Sequence, residues 1–320
     1  MQKNPIFLTR PLTVEVMKKL KKRFRLSFNR HERLLTKTEI IQGAQNKVAM
    51  ITMLSDRMDS DVIKNCPTLR VIANYAVGYD NVDLEAAKKH GVIVTNTPGV
   101  LTETTADLAW ALIMAISRRI VEGDRLVRSG RWTGWAPTQL LGNDVFGKTL
   151  GIIGMGRIGQ AVARRACGFG MKVIYHSRHP IKPEIEKAIG AVRRPLDDLL
   201  RRSDFVSLHV PLSAETRHLI GTGALAKMKR TAYLINTARG AVVDEAALVK
   251  ALHKKTIAGA GLDVFEAEPK VHRGLARLEN VVLLPHLGSA SFETRIKMGE
   301  IVIENICAVL QGREAPNQVN

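Results

Sequence analysis

Two hydrophobic patterns alternate along the chain. Short apolar runs rich in β-branched residues are separated by segments in which apolar residues recur every three or four positions. That alternation is typical of parallel sheets covered by helices, so it predicts an α/β fold with two parallel sheets. The apolar runs are, in order, IFLTR, KVAMITML, LRVIANYAVG and VIVTN, then TLGIIG, KVIYHS, FVSLHV, AYLINTA, IAGAGLDVF and VVLLPH.

Two longer helical patterns indicate how the chain is divided. One runs from about Thr102 to Val127, with Thr102 as its predicted N-cap, and separates the two series of strands. The other, Ser291 to Leu310, follows the second series and is long enough to cross back over the first. We therefore expect a discontinuous small domain, residues 1–99 plus 289–320, around a continuous larger domain, residues 100–288, that contains the second series of strands.

Composition fits two folded domains, and charge raises a further question. The chain has 320 residues, 45% of them hydrophobic, and a net charge of +18. A charge of that size suggests nucleic acid, but the densest basic run, KKLKKRFR, occupies the outer face of an amphipathic helix whose Val16, Leu20 and Phe24 face inward. No helix-turn-helix, zinc-finger or RNA-binding motif accompanies it, so we expect no nucleic-acid partner.

Other features point to a cytoplasmic protein without a metal. The longest apolar run, Leu108 to Ile116, is much shorter than the roughly 18 residues of a membrane span. The first ten residues lack the pattern of a secretion signal. Cys66, Cys167 and Cys307 are far apart and have no metal-ligand spacing. We expect no membrane partner and no metal site.

The motif most specific for a ligand is Gly154-x-Gly156-x-x-Gly159. It follows a predicted strand, opens a helix, and a second strand comes within about 30 residues, which is the arrangement of a dinucleotide-binding fold. The first glycine permits a tight turn, the second lets a pyrophosphate approach the backbone, and the third packs helix against strand. The sequence therefore predicts a Rossmann domain that binds a dinucleotide.

The end of the next strand, VIYHSRHP, indicates which dinucleotide. NAD-binding proteins have an acidic residue there that accepts hydrogen bonds from the adenosine ribose and would repel a 2′-phosphate. Here Ser177 removes that repulsion, and Arg178 can pair with a phosphate. We expect NADP, with NADPH preferred over NADH.

Several longer blocks resemble the D-isomer-specific 2-hydroxyacid dehydrogenases, and most of all their glyoxylate/hydroxypyruvate reductases. The blocks span nearly the whole chain and include NYAVGYDNVD, TNTPGVLTETTADLAWAL, FGKTLGIIGMGRIGQ, INTARGAVVDEAAL, AGAGLDVFEAEP and LLPHLGSAS. The resemblance implies a Rossmann domain plus a smaller flavodoxin-like substrate domain, a homodimer, and a substrate site in the cleft between domains.

The resemblance also implies three catalytic residues. His286 in LLPH matches the family's acid/base histidine, a residue type suited to proton transfer near neutral pH. Glu268 in EAEP matches its carboxylate partner, whose charge favours the imidazolium. Arg239 in NTARG matches the arginine that binds the substrate carboxylate or polarises its carbonyl.

The remaining assignments rest on the same resemblance. Val77 and Gly78 match a loop whose N–H groups hold the substrate carboxylate, and Leu54 matches the same pocket. Trp132 and Trp135 resemble an arm through which a tryptophan reaches the partner's active site, although ordinary interface packing explains them equally well. Asp263 is expected to address the nicotinamide amide. The positions matching cofactor contacts are Thr104, Arg157, Ile158, Val210, Pro211, Thr216, Thr237, Asp263, His286 and Gly288.

Three functions follow from these matches. The first is NADPH-dependent reduction of glyoxylate to glycolate and of hydroxypyruvate to D-glycerate. The second is another dehydrogenase of the family, acting on a different 2-hydroxy acid or on phosphite. The third is a dinucleotide-sensing corepressor of the same fold, which the lack of extended recruitment segments disfavours.

Overall fold

The computed structural model describes residues 3–31 and 33–320, which form two compact units. One unit contains the residues up to Leu101 together with Ser289–Asn320, and the other contains Thr102–Gly288. The strands are β1 (Pro5–Leu8), β2 (Arg25–Phe28), β3 (Ala49–Thr52), β4 (Val71–Asn74), β5 (Ile93–Thr95), β6 (Thr149–Ile153), β7 (Lys172–His176), β8 (Ala191–Arg193), β9 (Phe205–Leu208), β10 (Tyr233–Asn236), β11 (Gly259–Leu262) and β12 (Val281–Leu283).

Helices connect these strands throughout both units. They are α1 (Val14–Arg23), α2 (Lys37–Ala44), α3 (Ser60–Lys64), α4 (Leu84–Lys89), α5 (Thr102–Ser117), α6 (Ile120–Arg128), α7 (Arg157–Ala166), α8 (Pro183–Ile189), α9 (Leu196–Arg202), α10 (Thr222–Lys227), α11 (Glu245–His253) and α12 (Phe292–Leu310). Short 3₁₀ turns lie at Cys167–Phe169, Gly240–Val242 and Leu275–Arg277. In the described ranges, every helix is too short or too polar to cross a membrane.

The smaller unit contains a parallel sheet of order β2-β1-β3-β4-β5, the order of flavodoxin-like folds. β3 and β4 are buried along their whole length because helices cover both faces of the sheet. The predicted inner face of α1 is confirmed, since Val16 and Leu20 are fully buried.

The predicted last helix is also confirmed, and it covers the smaller sheet. Ser291 caps α12 by accepting a hydrogen bond from the Thr294 N–H, and α12 packs on α1, β4 and β5. A Cβ on Gly299 would lie 2.4 Å from Val16 Cγ2, so α1 and α12 pack closely.

The larger unit contains a seven-stranded parallel sheet of order β12-β11-β10-β9-β6-β7-β8. The connections proceed outward in both directions from β6, as in Rossmann domains, and the strand order reverses between β6 and β9. Ligands of such sheets bind where the carboxyl ends of the strands meet this reversal. The α/β class and the two parallel sheets are therefore confirmed.

Two features of the fold differ from the sequence prediction. The expected helix from Thr102 to Val127 is two helices, because the Ser117 carbonyl accepts the Asn143 N–H at 2.8 Å and Arg119 has a left-handed φ of 53°. Thr102 is the first helical residue rather than the cap.

The edge strands β2 and β8 were also missed. Apart from Ala191 their residues are exposed or only half-buried, so neither forms the apolar run that identified the other strands.

Candidate active site

The glycine loop lies between β6 and α7. Gly154 has a φ of 97°, and a Cβ there would come within 2.6 Å of the His209 carbonyl carbon. A Cβ on Gly159 would lie 2.2 Å from Gly154 O, so this glycine lets α7 approach the strand. Gly156 caps α7, and a Cβ there would meet nothing within 4 Å. Gly154 and Gly159 are thus required by the fold, whereas Gly156 leaves open space at a helix N-terminus.

The turn after β7 contains the residues expected to select the cofactor. Ser177 Oγ donates to His179 O, and the Arg178 side chain is exposed. On the facing loop after β9, the pKa of Glu215 lies below its usual value because Ser213 and its own N–H donate to the carboxylate and Arg178 adds positive charge. The turn therefore has an arginine near the expected ribose position and no acidic side chain of its own.

The loop after β9 is held by internal hydrogen bonds. Thr216 Oγ1 donates to Pro211 O at 2.7 Å and accepts the Ser213 N–H at 2.8 Å. His209 Nε2 and Ser207 Oγ lie 2.8 Å apart, and burial lowers the pKa of His209 to about 4. This histidine is therefore neutral near pH 7. Val210 follows it and packs on the core of the sheet.

His286 and Glu268, which the resemblance assigns as the acid/base histidine and its carboxylate partner, lie in hydrogen-bond contact. His286 Nδ1 lies 2.9 Å from Glu268 Oε2, and the Phe265 N–H donates to Glu268 Oε1 at 3.0 Å. Burial alone would raise the pKa of Glu268, but the hydrogen bond from His286 and the charges of His286 and Arg239 outweigh it, so the pKa is lowered. Because the carboxylate is ionised, Nδ1–H donates to it and Nε2 is left to exchange a proton.

Asp263 holds the segment that contains the histidine. The His286 N–H donates to Asp263 O at 2.9 Å, and the N–H groups of Leu287 and Gly288 donate to its two carboxylate oxygens at 2.6 and 2.8 Å. Burial raises the pKa of Asp263 by more than these hydrogen bonds lower it, so the pKa lies above its usual value. His286 has a φ of 57°, a costly conformation for a non-glycine residue, and Asp263 stabilises it. Contact between Asp263 and nicotinamide stays a prediction.

Arg239 lies on the loop after β10. Asn236 organises that loop by donating from Nδ2 to Arg239 O at 2.9 Å and accepting the Ala238 N–H at 3.0 Å. Gly240 follows, and a Cβ there would lie 1.9 Å from the Phe265 carbonyl carbon. The loop of Arg239 therefore packs directly on the segment that leads to Glu268.

Sequence reasoning missed a network that joins these segments, which we call the Glu245–Glu266 network. Each glutamate accepts the backbone N–H of the other, at 2.8 Å for Glu245 and 3.2 Å for Glu266. The carboxylate of Glu266 also contacts the ring Nε2 of His218, and the backbone N–H of His218 donates to Ala241 O. The network ties the turn after Arg239 to the residues before Glu268. No sequence signal marks it, because the two glutamates are 21 residues apart.

In the smaller unit, the predicted substrate loop follows β4. Asn74 Nδ2 donates to Gly78 O and Asn96 Nδ2 to Val77 O, both at 2.8 Å. Asn81 Nδ2 donates to Met53 O, one residue before the half-buried Leu54. Within residues 3–31 and 33–320, the N–H groups of Val77 and Gly78 donate to no protein acceptor. They are free to bind an anion.

Other predicted residues have less defined surroundings. Thr104 is half-buried on α5 and has a polar partner. Arg157 and Ile158 begin α7, the first exposed and the second packed on the core. Trp132 and Trp135 are 51% and 83% exposed.

The larger unit fits a dinucleotide. The open space at Gly156 lies at the N-terminus of α7, where backbone N–H groups bind phosphates. Thr237, at the end of β10, has a buried hydroxyl without a partner among the described residues. Both features leave polar groups for a ligand at the carboxyl edge of the sheet.

The comparisons with known proteins agree with this geometry. The model of the D-isomer specific 2-hydroxyacid dehydrogenase NAD-binding domain matches residues 110–288. The chain is 52% identical to a glyoxylate reductase of Korarchaeum cryptofilum, over 98% of this chain and 95% of that protein. It is 48% identical to the TT0316 protein of Thermus thermophilus, with a TM-score of 0.92 over 99% of this chain and all of that one.

A third relative was solved with ligands. It is an NADPH-dependent glyoxylate/hydroxypyruvate reductase of Sinorhizobium meliloti, in complex with NADP and malonate. The identity is 35% and the TM-score 0.87, over 99% of this chain and 97% of that one.

A parallel sheet with an open glycine loop and a histidine–carboxylate pair defines an NAD(P)-binding oxidoreductase. The chain belongs to the D-isomer-specific 2-hydroxyacid dehydrogenase family. The relatives at about half identity further support reduction of glyoxylate.

Proposed function

We propose that the protein is an NADPH-dependent reductase of small 2-keto acids, converting glyoxylate to glycolate and hydroxypyruvate to D-glycerate. The observation that supports this best is the 2.9 Å pair of His286 and Glu268, on the sheet that also contains the glycine loop. A 2-keto acid needs one proton at its carbonyl oxygen and a cation at its carboxylate, and His286 and Arg239 provide both.

His286 is the proposed proton donor. The cofactor, when bound, supplies the hydride that reduces the keto carbon. Nε2–H of the imidazolium gives its proton to the carbonyl oxygen, and Nδ1–H continues to donate to Glu268. The carboxylate therefore stabilises the charged ring before transfer and fixes its orientation throughout.

Arg239 and the loop after β4 are proposed to hold the substrate. The guanidinium pairs with the carboxylate and polarises the carbonyl. In the smaller unit, the N–H groups of Val77 and Gly78 are proposed to bind a carboxylate, and Leu54 is proposed to contribute apolar surface. Asp263 keeps His286 in place, and the Glu245–Glu266 network keeps the loop of Arg239 beside the segment of Glu268, without touching the substrate.

Preference for NADPH follows from the turn after β7. Ser177 and Arg178 replace the carboxylate that would repel a 2′-phosphate, and the Sinorhizobium relative is named as NADPH-dependent. We expect kcat/KM for NADPH to exceed that for NADH with both glyoxylate and hydroxypyruvate.

A double variant tests this preference. Ser177→Asp with Arg178→Gln should erode or reverse it, because a carboxylate then faces the ribose. Steady-state kinetics with both cofactors measures the effect, and equal or better use of NADH by the wild type would contradict the cofactor assignment.

We also propose a cytoplasmic homodimer. Half of the exposed large apolar side chains among the described residues lie between Ile120 and Phe146, a concentration typical of an interface. Light scattering should give twice the mass of one chain, and deletion of residues 132–141 should give a monomer with little activity. An active native monomer would contradict the dimer.

A further inference from the structure

Arg193 is the last residue of β8, the strand that forms one edge of the larger sheet. It pairs in register with Tyr175 of β7, two residues before the turn that contains Ser177 and Arg178. Its Nη2 donates to Ser177 O and to Arg178 O, both at 2.9 Å. One guanidinium thus binds both carbonyls of the turn expected to recognise the cofactor ribose.

This arrangement removes an electrostatic obstacle. A 2′-phosphate carries up to two negative charges, and carbonyl oxygens directed at it would repel it. A guanidinium bound to the two oxygens offsets their partial negative charge.

Part of the Arg193 guanidinium makes no hydrogen bond among the described residues. Across residues 3–31 and 33–320, its Nε and Nη1 have no hydrogen-bond partner and no carboxylate lies within ion-pair distance. Arg178, by contrast, is close enough to Glu215 to lower the pKa of that carboxyl, after the hydrogen bond from Ser213 and its own N–H. Of the two arginines, Arg193 has no carboxylate competing with a phosphate.

We propose that Arg193 determines cofactor specificity together with Arg178: it orders the Ser177–Arg178 turn through the two carbonyls and offers its free N–H groups to the 2′-phosphate of NADP(H). The inference rests on the proposed preference for NADPH. It adds a residue from another strand, 15 positions beyond Arg178 and outside both the glycine motif and the VIYHSRHP segment.

Two small probes isolate the 2′-phosphate. Adenosine 2′,5′-bisphosphate and adenosine 5′-monophosphate differ only in that group, and both can be measured as competitive inhibitors against the reduced cofactor. The wild type should bind the bisphosphate more tightly. Arg193→Gln should weaken the bisphosphate by roughly ten- to a hundredfold, the range for losing hydrogen bonds to a charged group, and leave the monophosphate within about twofold.

Two further variants separate charge from position. Arg193→Lys should restore part of the bisphosphate affinity, because the ammonium keeps the charge but cannot donate in the geometry of the guanidinium. Arg194→Gln is the matched control, since the neighbouring Arg194 faces Asp198 at 3.8 Å instead. It should leave both inhibition constants unchanged.

The outcomes distinguish the two proposals. If Arg193→Gln weakens both probes equally, Arg193 only maintains the fold and the inference is wrong. If the variant still distinguishes the probes as the wild type does, Arg193 plays no part, although the preference for NADPH stands. If the wild type itself binds both probes equally, the preference for NADPH fails and this inference with it.

Discussion

Two parts of the larger sheet are built in different ways: the phosphate end, where we propose that the cofactor phosphates bind, and the proton end, where we propose that His286 donates its proton. At β6, the phosphate end depends on backbone geometry, since positions 154 and 159 have no room for a Cβ and must be glycine. At β10–β12, the proton end depends on side chains from separate segments, with His286 and Glu268 18 residues apart. The first kind of site is specified by a local motif, and the second only by the folded chain.

The largest effect is expected at the proton end. His286→Ala should lower turnover by about two to four orders of magnitude, the usual loss of a positioned general acid. Cofactor affinity should change little, because the proposed phosphate site is the glycine loop after β6 and not the segment of His286. Stopped-flow kinetics and cofactor titration measure both, with the exposed His253→Ala as control.

Glu268→Gln sharpens the same test. Turnover should fall less than in His286→Ala, because His286 can still be protonated at low pH. As pH rises, the reduction activity of the variant should be lost at a lower pH than that of the wild type. A His286→Ala enzyme with near-normal turnover and an unchanged pH profile would place the proton donor elsewhere.

At the phosphate end, one substitution at two glycines should have opposite consequences. Gly156→Ala meets no protein atom, so it should fold normally and raise the cofactor Kd by roughly ten- to a hundredfold, because the methyl group intrudes on the ligand. Gly154→Ala meets the His209 backbone at 2.6 Å and requires a positive φ, so it should lower the free energy of unfolding by more than about 2 kcal/mol.

Calorimetry and cofactor titration of both variants decide this. If Gly156→Ala unfolds more easily and binds cofactor normally, the open space at the start of α7 is not the phosphate site.

The smallest effect concerns stability beside the glycine loop. Burial lowers the pKa of His209 from 6.5 to about 4, so the unfolded chain binds a proton in this range before the folded protein does. Stability is therefore full above pH 6.5 and is lost as pH falls toward 4. His209→Gln, which can still reach Ser207, should flatten that dependence in chemical denaturation, whereas the exposed His253→Gln should not.

Sequence reasoning succeeded where the local structure itself requires a particular type of residue at a particular spacing. The strand–glycine–helix pattern and the alternation of apolar runs predicted the Rossmann unit, and Val16 and Leu20 predicted the buried face of α1. The proposed catalytic residues were expected only through resemblance, since Arg239, Glu268 and His286 have ordinary neighbours in the sequence.

Sequence reasoning failed where a contact between distant parts of the chain determines the local structure. The helix break at Arg119 depends on Asn143 binding the Ser117 carbonyl, and β2 and β8 are strands because of their neighbours rather than their composition. The role of Asp263 in holding the His286 segment, the Glu245–Glu266 network and the contacts of Arg193 were equally unpredicted, because each depends on backbone groups of a distant segment.

The position of α12 has a consequence for synthesis. The larger unit is continuous, so all of its strands have been made once residue 288 is added. The smaller sheet, begun first, still lacks the helix that packs on α1 and β4, and Val94 in β5 pairs with Val319. During synthesis the larger unit can therefore fold as soon as its last strand has left the ribosome. The smaller unit can complete its core only after α12 and the residues that follow it have been made.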